Sequence, residues 1–143
     1  MVELGALREL FGSLPPGVAD WLDEHVEAVD LRAGECLFHE GDPGDSLYLI
    51  TDGRLLASTV DAHGVSHRVG EIGRAEPVGE MALLTDEARS ATVHAIRDTT
   101  MLRLASDRFA ELVSNHPQVL RPISERLVER LRRAEPPAIM KPN

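Results

Sequence analysis

Between Val29 and Leu104 the chain is a succession of short apolar runs, each stopped by turn residues: Val29 to Leu31, Cys36 to His39, Leu47 to Ile50, Leu55 to Val60, Ser66 to Val69, Ala91 to Ile96 and Met101 to Leu104. The breaks are Ala33-Gly34, Glu40 to Asp45, Asp52-Gly53, Asp61 to Gly64 and Arg97-Asp98. Asp-Gly is a strong hairpin signal, because both residues tolerate the left-handed backbone of a tight turn. Runs this short do not make helices, and their near-regular spacing predicts antiparallel strands in a sandwich, jelly roll or small barrel. A parallel sheet is disfavoured, since each crossover needs a dozen or more residues.

Helical periodicity flanks this array. Leu4, Leu7 and Phe11 recur at three and four, Gly12 ends the pattern, and Pro15-Pro16 prevents its continuation. From Gly17, Val18, Trp21, Leu22 and Val26 form one apolar stripe. After Leu104, Ser106 is placed to cap a helix carrying Phe109, Leu112 and Val113, and Pro117 to start another along Leu120, Ile123, Leu127 and Leu131, with Pro122 predicting a kink or restart. With 143 residues, the chain is expected to be one domain over 1–134. Its parts are a helical N-terminus (1–28), a β-barrel (29–105) and C-terminal helices (106–134), with a Pro-rich tail or linker at 135–143.

Composition narrows the function. Apolar residues at 43% and charged residues at 27% are those of a folding chain, and no apolar stretch is long enough to cross a bilayer. The N-terminus has no basic segment followed by an apolar one, so a cytoplasmic location is expected. Cys36 is the single cysteine, which leaves no intrachain disulfide and no multi-thiolate metal site. A net charge of −9 is a poor footprint for binding a nucleic-acid polymer. The charge is uneven: residues 1–120 carry 9 basic and 21 acidic side chains, residues 121–143 carry 6 and 3. Aromatics are only Phe11, Trp21, Phe38, Tyr48 and Phe109, too few for base-stacking platforms.

The segment Gly73 to Ser90 interrupts the strand rhythm, being too long for a hairpin turn and containing Gly79-Glu80-Met81-Ala82-Leu83-Leu84, which reads as one or two helical turns. Glycine at the start of a short helix permits close backbone approach to an anion at the free N–H groups. Ten residues on, Arg89 re-enters an apolar strand, where its fork needs an occupant, and phosphate is a natural one. Glu80 cannot serve an anion and suits a polyol hydroxyl. An anion plus a sugar hydroxyl suggests a nucleotide.

At these residues, from Val78-Gly79-Glu80-Met81-Ala82-Leu83-Leu84 through Arg89-Ser90-Ala91-Thr92-Val93, the chain resembles the cyclic nucleotide-binding domain family, in the order of its phosphate-binding cassette. The spacing of nine from Glu80 to Arg89 is similar to that of the kinase-regulatory-subunit type. Gly34-Glu35, Glu40-Gly41-Asp42 and Gly44-Asp45-Ser46-Leu47-Tyr48-Leu49-Ile50 followed by Gly53 fit the family's early strands, so that the likeness runs from about Ala28 to Val113. The resemblance implies a mainly β fold with flanking helices, a double-stranded β-helix (jelly-roll) barrel. It implies that Arg89 clamps a cyclic phosphate, that Glu80 takes the ribose 2′-hydroxyl, that the backbone around Gly79, Met81, Ala82 and Ala91 adds phosphate contacts, and that Asp45 orients the arginine. Ser90, a hydroxyl after the arginine, permits both cAMP and cGMP. Three departures stand out: Arg74-Ala75-Glu76-Pro77 replaces a frequent Gly-Asp-aromatic, Ala88 replaces a common proline, and no aromatic follows Phe109 to cap the base. Arg126, Leu127, Arg130 and Leu131 are the substitutes for that cap.

Other chemistries are poorly supported. His63 and His67 flank a turn, His39 and His94 lack paired ligands, and Ser106, Asp107 and His116 form no nucleophile elbow, so neither a metal nor catalysis is expected. A transcription factor would need a helix-turn-helix where the chain has Pro136-Pro137. The expected function is a sensor or regulatory module that binds a cyclic purine nucleotide, cAMP favoured over cGMP, and closes its C-terminal helix on the ligand. Its expected partners are a downstream effector domain or protein and, through that helix, a second copy. The Pro-rich ending also suits the regulatory portion of a longer enzyme or transporter. The alternative is a degenerate domain of the same fold that binds no nucleotide and serves interaction or dimerisation.

Overall fold

The computed structural model describes residues 5–80 and 87–133. Among these residues the strands are β1 (Glu27–Leu31), β2 (Cys36–Phe38), β3 (Ser46–Asp52), β4 (Leu55–Val60), β5 (Ser66–Ile72), β6 (Pro77–Val78), β7 (Thr92–Ala95) and β8 (Thr99–Ala105). β1 pairs with β8, β2 with β7, β3 with β6 and β4 with β5, all antiparallel. That nesting is a long hairpin rolled on itself, the jelly roll. Two further pairings, β3 with β8 and β4 with β7, gather the strands into sheets of order β1-β8-β3-β6 and β2-β7-β4-β5.

The strands alternate, and each face finds a different partner. Tyr48, Ile50, Val78 and Met101 from the first sheet meet Leu55, Ala57, Ile72, Val93 and Ala95 from the second in the interior of the roll. Leu47, Leu49, Leu102 and Leu104 point the other way, into a core shared with the helices. β3 is therefore buried on both faces over its first six residues.

Among the described residues, helices cover that outer face: α1 (Gly5–Phe11), α2 (Val18–His25), α3 (Ser106–Asn115) and α4 (Leu120–Arg133). Ala6, Leu7 and Leu10 of α1, Val18 and Leu22 of α2, Phe109 and Leu112 of α3 and Ile123 of α4 fill one cluster. At about 1.5–3 kcal/mol per fully buried aliphatic side chain, this seam binds the helices to the barrel more firmly than their short lengths would. The Trp21 indole N–H donates to Glu111 at 3.1 Å, tying α2 to α3. α4 packs against α1 and the 3-10 turn Pro117–Val119.

The structure corrects several expectations. Ser106 is the first residue of α3 rather than its cap: Ala105 precedes the helix without a side-chain cap, and the Ser106 amide donates to the Asp45 carbonyl at 2.9 Å. The helix expected from Pro117 is a 3-10 turn over Pro117–Val119 followed by α4 from Leu120, so that Pro122 falls in the first turn of α4, where no amide has an intrahelical acceptor to lose. The run from Ser66 continues to Ile72, and β6 went unforeseen as two residues beginning with a proline. That proline is tolerated because β6 is an edge strand. Leu4, most of the helical stretch expected at 79–84, and the tail lie outside the described residues.

Candidate functional site

Arg89 stands where three segments meet, and its main chain is fixed first. The turn after β2 is closed by Asp42, whose carboxylate accepts the His39 amide at 2.9 Å. From that turn the Gly41 amide donates to the Arg89 carbonyl at 2.9 Å, and the Arg89 amide donates to the Asp42 carbonyl at 2.8 Å. Arg89 thus enters β7 as if paired in a ladder, and its side chain is directed into the roll at 4% exposure.

Inside, the guanidinium has several kinds of neighbour. Nη1 donates to the Gly79 carbonyl at 3.1 Å and Nη2 to the Ser46 carbonyl at 2.9 Å. Asp45 pairs with Nη2 at 3.7 Å, but its side chain is 72% exposed and also lies 4.0 Å from Arg103, so solvent weakens this ion pair. Cζ of Arg89 lies over the Phe38 ring, 4.1 Å from its centroid, and 6.0 Å from the centroid of the Tyr48 ring. Burial pushes the Arg89 pKa below the ordinary arginine value, while Tyr48, Asp45, Glu80 and Asp42 counteract it. The Nε–H and the Ser46 hydroxyl, both buried, have no hydrogen-bond partner among the described residues. Ser46 is fully buried at the start of β3, on the same alternating face as Tyr48 and Ile50.

Gly79 is required by this geometry. Its φ is +86°, and a Cβ there would sit 2.2 Å from Nη1 of Arg89 and 3.1 Å from the Ser46 carbonyl. Glu80, next in the chain, is 2% exposed, unusual for a carboxylate unless it is engaged. The loop feeding them carries the departures noted above. Ala75 adopts φ 63°, a conformation glycine holds more cheaply, and buries its methyl against the helices. Its amide donates to the Ile50 carbonyl at 2.8 Å, while the Arg74 guanidinium bonds the Thr51 carbonyl and reaches Glu9 of α1 at 3.0 Å. Ala75 and Pro77 are thereby built into the loop's packing.

Of the residues singled out from the sequence, Gly79, Arg89 and Asp45 come together, and Glu80 is buried beside them in the chain. Ala91 is buried and Ser90 exposed. Met81 and Ala82 lie outside the described residues. Arg126 and Leu127 are half-buried on α4, and Arg130 and Leu131 lie on the same helix. Sequence reasoning missed Phe38, Tyr48 and Ser46, because it had no means to place β2 and β3 around the segment that carries Arg89 into β7. Chemically, the arrangement is a buried cation with one N–H that has no partner among the described residues, a group suited to an anion.

Among the described residues no three His, Cys, Asp or Glu side chains gather as a metal site, and no helix is long and apolar enough to cross a membrane. Burial and Asp42 push the Cys36 thiol up, away from a reactive thiolate.

Residues 28–116 match the family described as the cyclic nucleotide-binding domain. The lysophospholipase nte1 of Aspergillus terreus is 34% identical over 131 residues, covering 92% of this chain; the chain spans only 9% of that protein. Among solved structures, the catabolite activator protein of Thermus thermophilus is similar at TM-score 0.75 and 30% identity, with 86% of this chain and 58% of that one covered. The regulatory domain of Toxoplasma gondii PKA, crystallised with cAMP, is similar at TM-score 0.69 and 30% identity, with 74% and 41% covered.

Proposed function

The chain belongs to the cyclic nucleotide-binding domain family, and from that premise we propose that it is a sensor module for a cyclic purine nucleotide, cAMP in preference to cGMP, with no catalysis of its own. One observation carries the reading: Arg89 is a buried guanidinium whose Nε–H has no partner among the described residues. Leaving a buried charged donor unpaired costs more than leaving a neutral one, and a phosphate oxygen is the acceptor that removes the cost. In this reading Arg89 holds the cyclic phosphate, with the backbone about Gly79, Met81, Ala82 and Ala91, and Asp45 steadies the arginine from the rim. Glu80 accepts the ribose hydroxyl, and Ser90 adds a hydroxyl contact. A cyclic nucleotide ligand is supported by the likeness to the cAMP-bound regulatory domain of Toxoplasma gondii PKA.

The domain reading, one unit over 1–134, makes α4 the reporter. Arg126, Leu127, Arg130 and Leu131 cover the base when α4 closes, and the ligand shifts the balance between open and closed helix by its differential affinity for the two. A basic C-terminal segment on an acidic body favours that approach to a nucleotide. The effector is a further domain or partner protein, in keeping with relatives far longer than this chain.

Calorimetric titration of the whole chain with cAMP and with cGMP tests the proposal. Binding of cAMP that Arg89→Ala weakens by a hundredfold or more, about 2.7 kcal/mol, is expected. Heat from neither nucleotide, or an Arg89→Ala chain that binds like the parent, overturns it and favours the degenerate domain.

A further inference from the structure

Resting on that reading, we infer that Phe38 is a positioning residue for the phosphate: its ring is the platform that holds the Arg89 guanidinium flat in the barrel wall and leaves the Nε edge free. Arg89 is 4% exposed, yet its two direct acceptors are main-chain carbonyls and its ion pair with Asp45 is long, solvent-washed and shared with Arg103. A buried arginine held by a close carboxylate would have its charge already spent on that partner. Here the Cζ of the cation lies over the Phe38 ring, 4.1 Å from its centroid, with the Tyr48 centroid at 6.0 Å. An aromatic face stabilises a desolvated guanidinium through its quadrupole without occupying any N–H. The edge donors stay available to an anion while the plane is held.

The local fold gives the ring its place. Phe38 ends β2 at a register irregularity, opposite Val93 of β7, four residues past Arg89. The Phe38 and Tyr48 rings lie 6.2 Å apart at 39°, so each restrains the other. The turn that follows β2 is the same one that clasps the Arg89 main chain through Gly41 and Asp42. One segment thus sets both ends of the arginine: the backbone by hydrogen bonds, the guanidinium by its π face. Removing the ring leaves a cation held by its two carbonyl contacts alone, with more rotamer freedom to give up when a phosphate arrives, which lowers affinity without removing a ligand contact.

The test is a double-mutant cycle by calorimetric titration of the whole chain with cAMP, in the parent, Phe38→Leu, Arg89→Ala and the double variant. Phe38→Leu is expected to weaken binding about tenfold. Phe38→Tyr, which keeps the ring, is expected to stay within about twofold. In the Arg89→Ala background Phe38→Leu is expected to cost nothing further, since the ring acts only through the arginine. If Phe38→Leu does not fold, Phe38→Met carries the same cycle. Additive losses, or a Phe38→Leu chain as tight as the parent, overturn the inference while leaving nucleotide binding intact. A parent that binds neither cAMP nor cGMP instead removes the functional reading, and this inference with it.

Discussion

Gly79→Ala sets a clash against a matched control. Gly79 and Gly41 have nearly the same backbone, φ +86° and +90°, but a Cβ at Gly79 would stand 2.2 Å from Nη1 of Arg89, whereas at Gly41 nothing lies within 4 Å. Placing an alanine in the left-handed region costs about 1–2 kcal/mol. The lost flexibility of the unfolded chain returns about 0.4–1 kcal/mol. Gly41→Ala is therefore expected to destabilise by roughly 0.5–1 kcal/mol. Gly79→Ala carries the same strain and must also push Nη1 off the Gly79 carbonyl, a hydrogen bond to a charged group worth about 1.5–3 kcal/mol. Its expected loss is roughly 2–4 kcal/mol. At about 3 °C per kcal/mol for a domain of this size, melting followed by circular dichroism should fall by roughly 6–12 °C for Gly79→Ala against roughly 2–3 °C for Gly41→Ala. Equal shifts in the two variants would show that the arginine does not rest on Gly79, and the site geometry would be wrong.

Three further outcomes follow from individual contacts. Ser46→Ala removes a buried hydroxyl that has no partner among the described residues, so the ligand-free protein should be as stable as the parent or up to about 1 kcal/mol more stable in urea denaturation. A loss of more than about 1 kcal/mol would mean the hydroxyl is bonded. Trp21→Phe keeps an aromatic ring but loses the pyrrole half of the indole with its 3.1 Å bond to Glu111, and should lower the melting temperature by about 3 °C or more, corresponding to at least about 1 kcal/mol. Asp61 is held below the usual carboxylate range, first by the hydrogen bond from His67 and next by the Val65 amide. Its stabilising effect is thus present above the ordinary carboxylate range and lost as pH falls through the lowered value. A carbon-detected NMR titration should show the Asp61 midpoint rising in His67→Ala, and an unmoved midpoint would exclude the pair.

The strand array was legible because turn chemistry is local: Asp52-Gly53, Asp61 to Gly64 and Ala33-Gly34 announce reversals without reference to anything distant. The cassette was legible for the same reason, since Gly79, Glu80 and Arg89 lie within one stretch of chain. What escaped depends on pairing across the sequence. Phe38 is an ordinary strand residue until β2 is laid beside β7, and Ser46 is an ordinary polar start to β3 until Arg89 arrives against its carbonyl. Ser106 shows the limit of capping rules, because the orphan amide at the start of α3 is satisfied by the Asp45 carbonyl from another loop. Pro122 shows that a helix breaker within its first turn breaks nothing. Ala75 keeps the left-handed conformation that glycine would hold more cheaply, and this could not be read from composition.

If the Arg89 Nε–H, which has no partner among the described residues, receives the phosphate, the resonance of that proton reports on it directly. In a proton–nitrogen NMR spectrum of the whole chain, assigned by its disappearance in Arg89→Lys, the Arg89 Nε–H signal should move downfield as cAMP saturates the protein and stay in place with adenosine, which has the base and sugar but no phosphate. A signal that remains fixed while cAMP demonstrably binds would contradict the claim and put the phosphate elsewhere.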